Sequence, residues 1–226
     1  MKKWENLPEL FRKEEIKPYY KALKSKGFSR VLKRAFDIFV SSLLIILLSP
    51  VMLVLAVLIK CDSKGPVLYK SKRVTRYNKD FTIYKFRTMV TDADKKGSLI
   101  TVSGDSRITK VGSKIRGSRL DEIPQLFNVW LGQMSFVGTR PEVRRYVDMY
   151  TPEMLATLLL PAGITSKASL AFRNEDEKMA ELTGKGLSVD EAYVNHVLPE
   201  KMKLNLEYIE NFGILEDIST CIKTVF

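Results

Sequence analysis

The sequence predicts a helix-rich α/β protein held at one face of a membrane. The expected architecture is a re-entrant membrane helix-break-helix, then a cytoplasmic domain of short strands and interfacial amphipathic helices. Three observations predict it. Residues 35–59 form one apolar stretch with a single charge, Asp37, and Ser49-Pro50 in its middle. Basic residues crowd both flanks of that stretch. Beyond it, a strand-like run at 81–87 gives way to apolar residues at helical spacing, namely Ile123, Leu126, Phe127, Trp130 and Leu131.

A chain of 226 residues can bury one core and carry an appendage. The boundaries expected are a basic N-terminal extension at 1–32, the re-entrant helix at 33–60 and a membrane-associated domain at 61–226. With 28% charged and 45% hydrophobic residues, the chain is not disordered. The two cysteines, Cys61 and Cys221, offer neither a disulfide framework nor zinc spacing, which suits a reducing compartment. A single histidine, His196, excludes chemistry that needs a histidine pair. The net charge of +11 is unevenly placed: residues 1–34 carry 11 basic and 4 acidic side chains, residues 60–119 carry 16 and 5, and the remainder from 120 carries 10 and 16. A nucleic-acid binder can show such an excess but does not need a long apolar run between its basic segments, so no nucleic-acid partner is expected.

Residues 1–32 are polar and basic, with Pro8, Pro18 and Gly27 as breakers. Trp4, Leu7, Phe11, Tyr19 and Leu23 read either as a segment lying along a membrane surface or as part of a mobile basic tail. The apolar stretch that follows starts too late and runs too long for a secretory signal. Its 25 residues are long enough to span a bilayer as a plain helix. Two features favour re-entry. Proline at 50 removes a helix hydrogen bond and bends the chain. Lys33 and Arg34 before the stretch, and Lys60, Lys64 and Lys70 after it, would be split across the bilayer by a spanning helix, against the positive-inside tendency. Backbone freed at Ser49-Pro50 would need partners from protein or from side chains such as Ser49.

Lys64-Gly65-Pro66 reads as a turn, with short strands at 67–69 and 81–87 around a second turn at 77–80. Alternation puts Lys85 and Arg87 on one face with Phe81 and Ile83. Two cations on a partly apolar face suit a phosphate at a membrane edge; a solvated strand is the alternative. Asp92-Ala93-Asp94 is a D-x-D triplet, which in one class of glycosyltransferases holds a metal and a nucleotide, but it sits in the polar segment TDADKKGS and reads as a solvated loop.

The densest stretch is 116–142, RGSRLDEIPQLFNVWLGQMSFVGTRPE. Asp121 and Glu122 follow Arg116 and Arg119. Pro124 fits only the first turn of a helix, so the carboxylates lie at or just before a helix N-terminus, where partial positive charge and free N–H groups suit phosphate. Neighbouring helical residues diverge by about 100°, so the two carboxylates do not share one task. One could attack phosphorus while the other holds a divalent cation. The alternative is a helix capping box, Ser118-x-x-Asp121. In the loop 138–142, Pro141 locks the backbone beside Arg140, whose planar fork can bind two oxygens of a diphosphate. Further on, Ser188-x-x-Glu191 reads as a capping box and 199–208 as helix.

LDEIPQLFNVW with MSFVGTRPE resembles the catalytic region of the bacterial sugar transferase family, the monotopic phosphoglycosyl transferases, and the resemblance runs from about residue 33 to 173. KRAFDIF and LLSPVMLVLAVLIK look like the family's re-entrant helix, YKFRTM like a motif near its active centre, and KLNLEYIENFG like its closing helix. The resemblance implies transfer of a sugar-1-phosphate from a UDP-sugar to polyprenyl phosphate at the cytoplasmic face of the bacterial inner membrane, from within one leaflet of the lipid bilayer. It implies Asp121 as nucleophile through a covalent phosphosugar-aspartate, release of UMP, and Glu122 as a ligand of Mg²⁺. Lys85, Arg87, Arg116, Arg119 and Arg140 become candidate phosphate or nucleotide contacts, as does Arg173 after the GIT turn at 163–165. This chain has Thr139 where the family usually has proline, and Asn205 where many members have aspartate, so Asn205 is given no metal role. Larger members carry extra N-terminal membrane helices, so the chain reads as the minimal catalytic form. The other readings are a D-x-D glycosyltransferase releasing UDP and a non-enzymatic membrane scaffold. A glycosidase pair is a poor fit, because its carboxylates stand apart across a sugar. The sequence selects neither the sugar nor an oligomeric state.

Overall fold

A computed structural model describes residues 1–93 and 105–225. The first 25 residues form single 3-10 turns and α1 (Lys17–Ser25). They are neither a mobile tail nor a surface-lying segment. Leu7, Phe11, Ile16, Tyr19, Tyr20 and Leu23 are buried in the largest core, with Val74, Leu155, Leu159, Ile209 and Phe212. The Tyr19 hydroxyl donates to Glu153 at 2.7 Å. Each fully buried Leu, Ile or Phe contributes roughly 1.5–3 kcal/mol, enough to hold a segment that composition alone presents as basic and solvated.

α2 (Gly27–Asp62) is one continuous helix of 36 residues with Pro50 inside it. The break expected at Ser49-Pro50 is therefore absent, and the helix begins before the expected boundary at 33. The reason is local. Proline lacks the N–H that would bond the carbonyl four residues back, which is that of Ile46. Ser49 Oγ donates to that carbonyl at 2.8 Å, so the ladder stays satisfied. Among the described residues α2 is the one helix long and apolar enough to cross a membrane. Phe39, Ile46, Leu47, Leu53 and Val54 along its middle are exposed.

Both ends of α2 grip the rest of the fold. Near the start, Lys33 is buried, donating to the Val137 carbonyl at 2.8 Å and to Asp217 at 2.7 Å. Arg34 donates to the carbonyls of Val129 and Trp130. Buried Asp37 accepts from Ser135 Oγ and the Phe136 amide. Near the end, Leu55 and Ile59 pack with Phe86 and Ile115, and Asp62 accepts the Val111 amide at 3.0 Å.

β1 (Leu68–Thr75) and β2 (Lys79–Phe86) form an antiparallel hairpin, in register from Leu68↔Phe86 to Thr75↔Lys79. The strands are longer than expected and the turn earlier, with Tyr77 and Asn78 in the left-handed region. α3 (Lys110–Gly117) is capped by Thr109, whose Oγ1 accepts the Gly112 amide at 3.0 Å. A 3-10 turn at Leu120–Glu122 leads through Pro124 into α4 (Gln125–Trp130). β3 (Met134–Val137) pairs in parallel with β4 (Ala162–Thr165), across the short α5 (Arg144–Val147). A Cβ on Gly163 would meet the Gly138 backbone at 2.2–2.6 Å, so only glycine lets the two chains approach here. Phe81, Ile83, Val129, Met134 and Ala162 pack β2, α4 and this parallel pair together.

The rest is helical: α6 (Lys167–Ala171), α7 (Glu175–Gly184), α8 (Val189–Ala192), a π turn at Tyr193–Val197, α9 (Leu198–Glu210) and α10 (Ile214–Val225). α8 starts with the expected capping box of Ser188 and Glu191. α10 faces outward with its apolar side: Leu215, Ile218 and Ile222 are exposed while Asp217 and Thr220 are buried. Phe127, Trp130 and Leu131 at α4, and Phe28 and Val31 at the start of α2, are exposed too. Such apolar faces fit helices that lie in a membrane interface.

Candidate active site

The Asp121–Glu122 pair sits in the 3-10 turn ahead of α4. Ser118 does not cap it. Its hydroxyl turns back to the carbonyls of Lys114 and Ile115, so the capping-box alternative is not formed. Arg119 enters the turn in the left-handed region, φ 58°. Behind the pair, fully buried Asn128 fastens α4 to β2. Its Oδ1 accepts the Tyr84 amide at 3.1 Å, and its Nδ2 donates to the Thr82 carbonyl at 2.7 Å. That pin sets the carboxylates opposite Lys85, the residue after Tyr84.

Glu122 Oε1 accepts from two cations, Lys85 at 2.7 Å and Arg140 at 2.8 Å. Burial opposes ionisation of Glu122, but the charges of Arg140 and Lys85 and their hydrogen bonds outweigh it, and the carboxyl is held well below its usual range. Burial pulls the Lys85 ammonium below the lysine range against the opposing pull of Glu122. The Glu122 charge holds the Arg140 proton more firmly, against burial. Asp121 is buried and differs from its neighbour. Burial pushes its carboxyl up, the charge of Glu122 adds to this, and Lys85 and Arg116 only partly offset it. One turn thus carries a fixed anion and a desolvated, more basic carboxylate.

The loop that carries Arg140 is pinned from three sides. The Gly138 amide bonds the Thr165 carbonyl at 3.0 Å, the Gly163 amide the Thr139 carbonyl at 2.9 Å, and the Val74 amide the Glu142 carbonyl at 3.0 Å. Thr139 therefore does not loosen the loop, despite standing where the family has proline.

The other expected contacts fall differently. Arg116, in the last turn of α3, is exposed with its charge felt at Asp121. Arg119 is exposed beside it. Arg87 lies on other partners. β2 ends at Phe86, and the buried Arg87 guanidinium donates to the carbonyls of Ser63 and Lys64, at 2.7 Å each, and to Ser63 Oγ. It ties down the turn that follows α2, whose last residue is Asp62. Arg173 also stands apart from the carboxylate pair. It is exposed and donates to the Lys223 carbonyl in the last turn of α10, not to the Glu122 cluster. Asp92 is exposed in a left-handed turn, and Asp94 lies outside the described residues. Asn205 is buried on α9, its Nδ2 3.9 Å from Met202 Sδ.

Sequence reasoning missed Asn128, and it missed a buried polar cluster behind the Arg140 loop. There the Tyr193 hydroxyl donates to Glu142 Oε1 at 2.5 Å, and Lys201 Nζ pairs with Glu175 at 3.0 Å. Glu142 follows directly on the Arg140-Pro141 pair, which was the signal available.

For a metal, the described residues hold no group of three or more His, Cys, Asp or Glu side chains placed together. Mg²⁺ is commonly held by one or two carboxylates plus water and substrate phosphates. Glu122, kept ionised and with both of its cations on Oε1 alone, fits that pattern with Asp121 beside it.

The profile of the family described as "Bacterial sugar transferase" matches residues 28–226. The UDP-N-acetylgalactosamine-undecaprenyl-phosphate N-acetylgalactosaminephosphotransferase of Aeromonas hydrophila is 36% identical over 197 residues, 86% of this chain and 43% of that protein. The exopolysaccharide production protein PSS of Rhizobium leguminosarum bv. phaseoli is 38% identical over 206 residues, 86% of this chain and 94% of that one. The UDP-glucose:undecaprenyl-phosphate glucose-1-phosphate transferase of Escherichia coli (strain K12) is 31% identical over 204 residues, 88% and 40%. The chain thus spans about two fifths of the length of the first and third of these relatives.

Proposed function

Because this chain belongs to the bacterial sugar transferase family, we propose that it transfers a sugar-1-phosphate from a UDP-sugar to undecaprenyl phosphate and releases UMP. The observation that carries this is the Lys85–Glu122–Arg140 cluster beside the buried Asp121. A desolvated carboxylate next to fixed cations suits attack on an anionic phosphorus centre.

In the first step an oxygen of ionised Asp121 bonds to the β-phosphorus. The bond from that phosphorus to the bridging oxygen breaks, and UMP leaves with the bridging oxygen. The enzyme then carries a phosphosugar-aspartate. In the second step a phosphate oxygen of the lipid attacks the same phosphorus, the bond to Asp121 breaks, and the carboxylate is restored. The product is an undecaprenyl diphosphate sugar. Splitting the transfer lets one soluble and one lipid substrate use the same site in turn. Arg140 and Lys85 offset phosphate charge, and Arg116 extends positive charge towards solvent. Glu122 would hold Mg²⁺, which when bound supplies positive charge against the diphosphate.

The membrane reading rests on α2. Its middle is apolar and exposed while both ends pack on the same body, which supports entry into one leaflet; the basic residues on both flanks support the cytoplasmic face. The exposed apolar residues of α4 and α10 fit contact with the same membrane surface.

The test is turnover in nanodiscs with Mg²⁺, undecaprenyl phosphate and a panel of UDP-sugars, with UMP and UDP measured separately. Lipid-dependent UMP turnover with one sugar, lost in Asp121→Asn, is expected. UDP release that survives Asp121→Asn would overturn the mechanism.

A further inference from the structure

Arg140 is a long, one-third exposed side chain, yet one of its N–H groups meets Glu122 at 2.8 Å. Arginine carries about 2 kcal/mol of rotamer entropy, so something must hold its base. Residues 139–143 form no regular element, and the charge of Glu142, two residues after Arg140, acts on the guanidinium. Glu142 is therefore the natural handle. Its carboxylate accepts from the Tyr193 hydroxyl at 2.5 Å and lies 3.9 Å from Lys201 Nζ. Lys201 also lies 3.4 Å from the Tyr193 oxygen and pairs with Glu175 at 3.0 Å. Lys201 and Tyr193 are both buried. Tyr193 opens the π turn between α8 and α9, a geometry that is rare and concentrated at functional sites.

The charges explain why the cluster needs all its members. Two carboxylates, Glu142 and Glu175, share Lys201, and both also act on Arg140. With the Tyr193 hydroxyl and Lys201 in place they are largely satisfied, and Arg140 stays on Glu122. Without them, two poorly paired, partly buried carboxylates compete for the same guanidinium.

We propose that Tyr193 and Lys201 are positioning residues: with Glu142 and Glu175 they form a brace that fixes Arg140 against Glu122. The kinetic side of this rests on the transfer reading above; the brace itself does not. It makes the α7–α9 segment, far along the chain from Asp121, part of the machinery that sets the carboxylate turn.

Tyr193→Phe removes one hydroxyl and keeps the ring in its core. Two readouts are combined. Hydrogen exchange reports the brace directly through the Val74 amide, bonded to the Glu142 carbonyl, and the Gly163 amide, bonded to the Thr139 carbonyl. Faster exchange at both, with α1 and α9 unchanged, is expected. A double-mutant cycle with Arg140→Ala reports the coupling. Tyr193→Phe alone is expected to lower kcat by about tenfold with little change in KM for the lipid, and to add less than about twofold when Arg140 is already alanine. Unchanged exchange, or the same loss of kcat in both backgrounds, overturns the brace. Absence of UMP turnover in the wild type overturns the transfer reading instead, and the exchange readout still decides the brace.

Discussion

Asp121 and Glu122 are adjacent, yet their surroundings push them in opposite directions. Glu122 has two cations on one oxygen; Asp121 has burial and a neighbouring negative charge. A raised folded pKa means that an ionised Asp121 destabilises the fold at neutral pH, and that this cost disappears as pH falls through the raised value towards about 3.9. Asp121→Asn is therefore expected to raise the melting temperature at pH 7 while abolishing turnover. The gain should be a few degrees, since about 1 kcal/mol moves a domain of this size by about 2–4 °C, and it should shrink on acidification. Thermal melts of both proteins from pH 7 to 4 check this; an Asn variant that melts lower than wild type at pH 7 would refute it. Glu122 has the opposite sign. Its stabilisation is present at neutral pH and is lost only as pH falls below the ordinary glutamate value of about 4.3. Much of this was legible in the sequence: the pair, Lys85 and Arg140 all stood in motifs. What was not legible is which arginine joins the carboxylate pair. Arg87 and Arg140 are the same residue type in equally dense motifs, and only the fold shows one on the carbonyls that follow α2 and the other on Glu122.

At the scale of elements, the same distinction decides what α2 needs. The turn after α2 leaves carbonyls that need donors, and Arg87 supplies those of Ser63 and Lys64. Strand alternation placed Arg87 beside Lys85, but alternation holds only while the strand lasts, and β2 stops one residue earlier. Arg87→Met keeps much of the side-chain volume and removes the donors. Hydrogen bonds to charged groups are worth about 1.5–3 kcal/mol, so a marked loss of stability is expected, with KM for the UDP-sugar unchanged in the folded fraction. A KM raised tenfold without loss of stability would return Arg87 to the substrate. Proline in α2 teaches the converse. Pro50 was expected to break the helix, and Ser49 one residue earlier takes over the carbonyl it leaves. The partner was legible as a serine, but its power to keep the helix intact was not.

For the whole molecule, the decisive relation is between α2 and the body it serves. The start of α2 is tied to β3 and α10 through Lys33 and Asp37, and its end to β2 and α3 through Ile59 and Asp62. If α2 crossed the bilayer, one folded body would have to sit on both sides, with strands and loops passing through hydrocarbon that cannot satisfy their backbone groups. The N-terminal residues press the same point. Phe11, Ile16 and Leu23 sit in the core with Ile209 and Phe212, so the chain before α2 and the chain after it share one interior. Composition concealed this, since residues 1–26 read as basic and breaker-rich while their apolar positions are few and spread out. The consequence can be measured with thiols. Cys61, at the end of α2, is exposed, and Ser25 lies exposed just before its start. In a Cys221→Ser background, Cys61 and a Ser25→Cys substitution are each labelled with a membrane-impermeant maleimide, in intact spheroplasts and in inside-out vesicles. Entry into one leaflet requires both thiols to react from the cytoplasmic side and neither from outside. Reaction of the two from opposite sides would mean that α2 spans, and that the contacts at one of its ends are not those of the working enzyme.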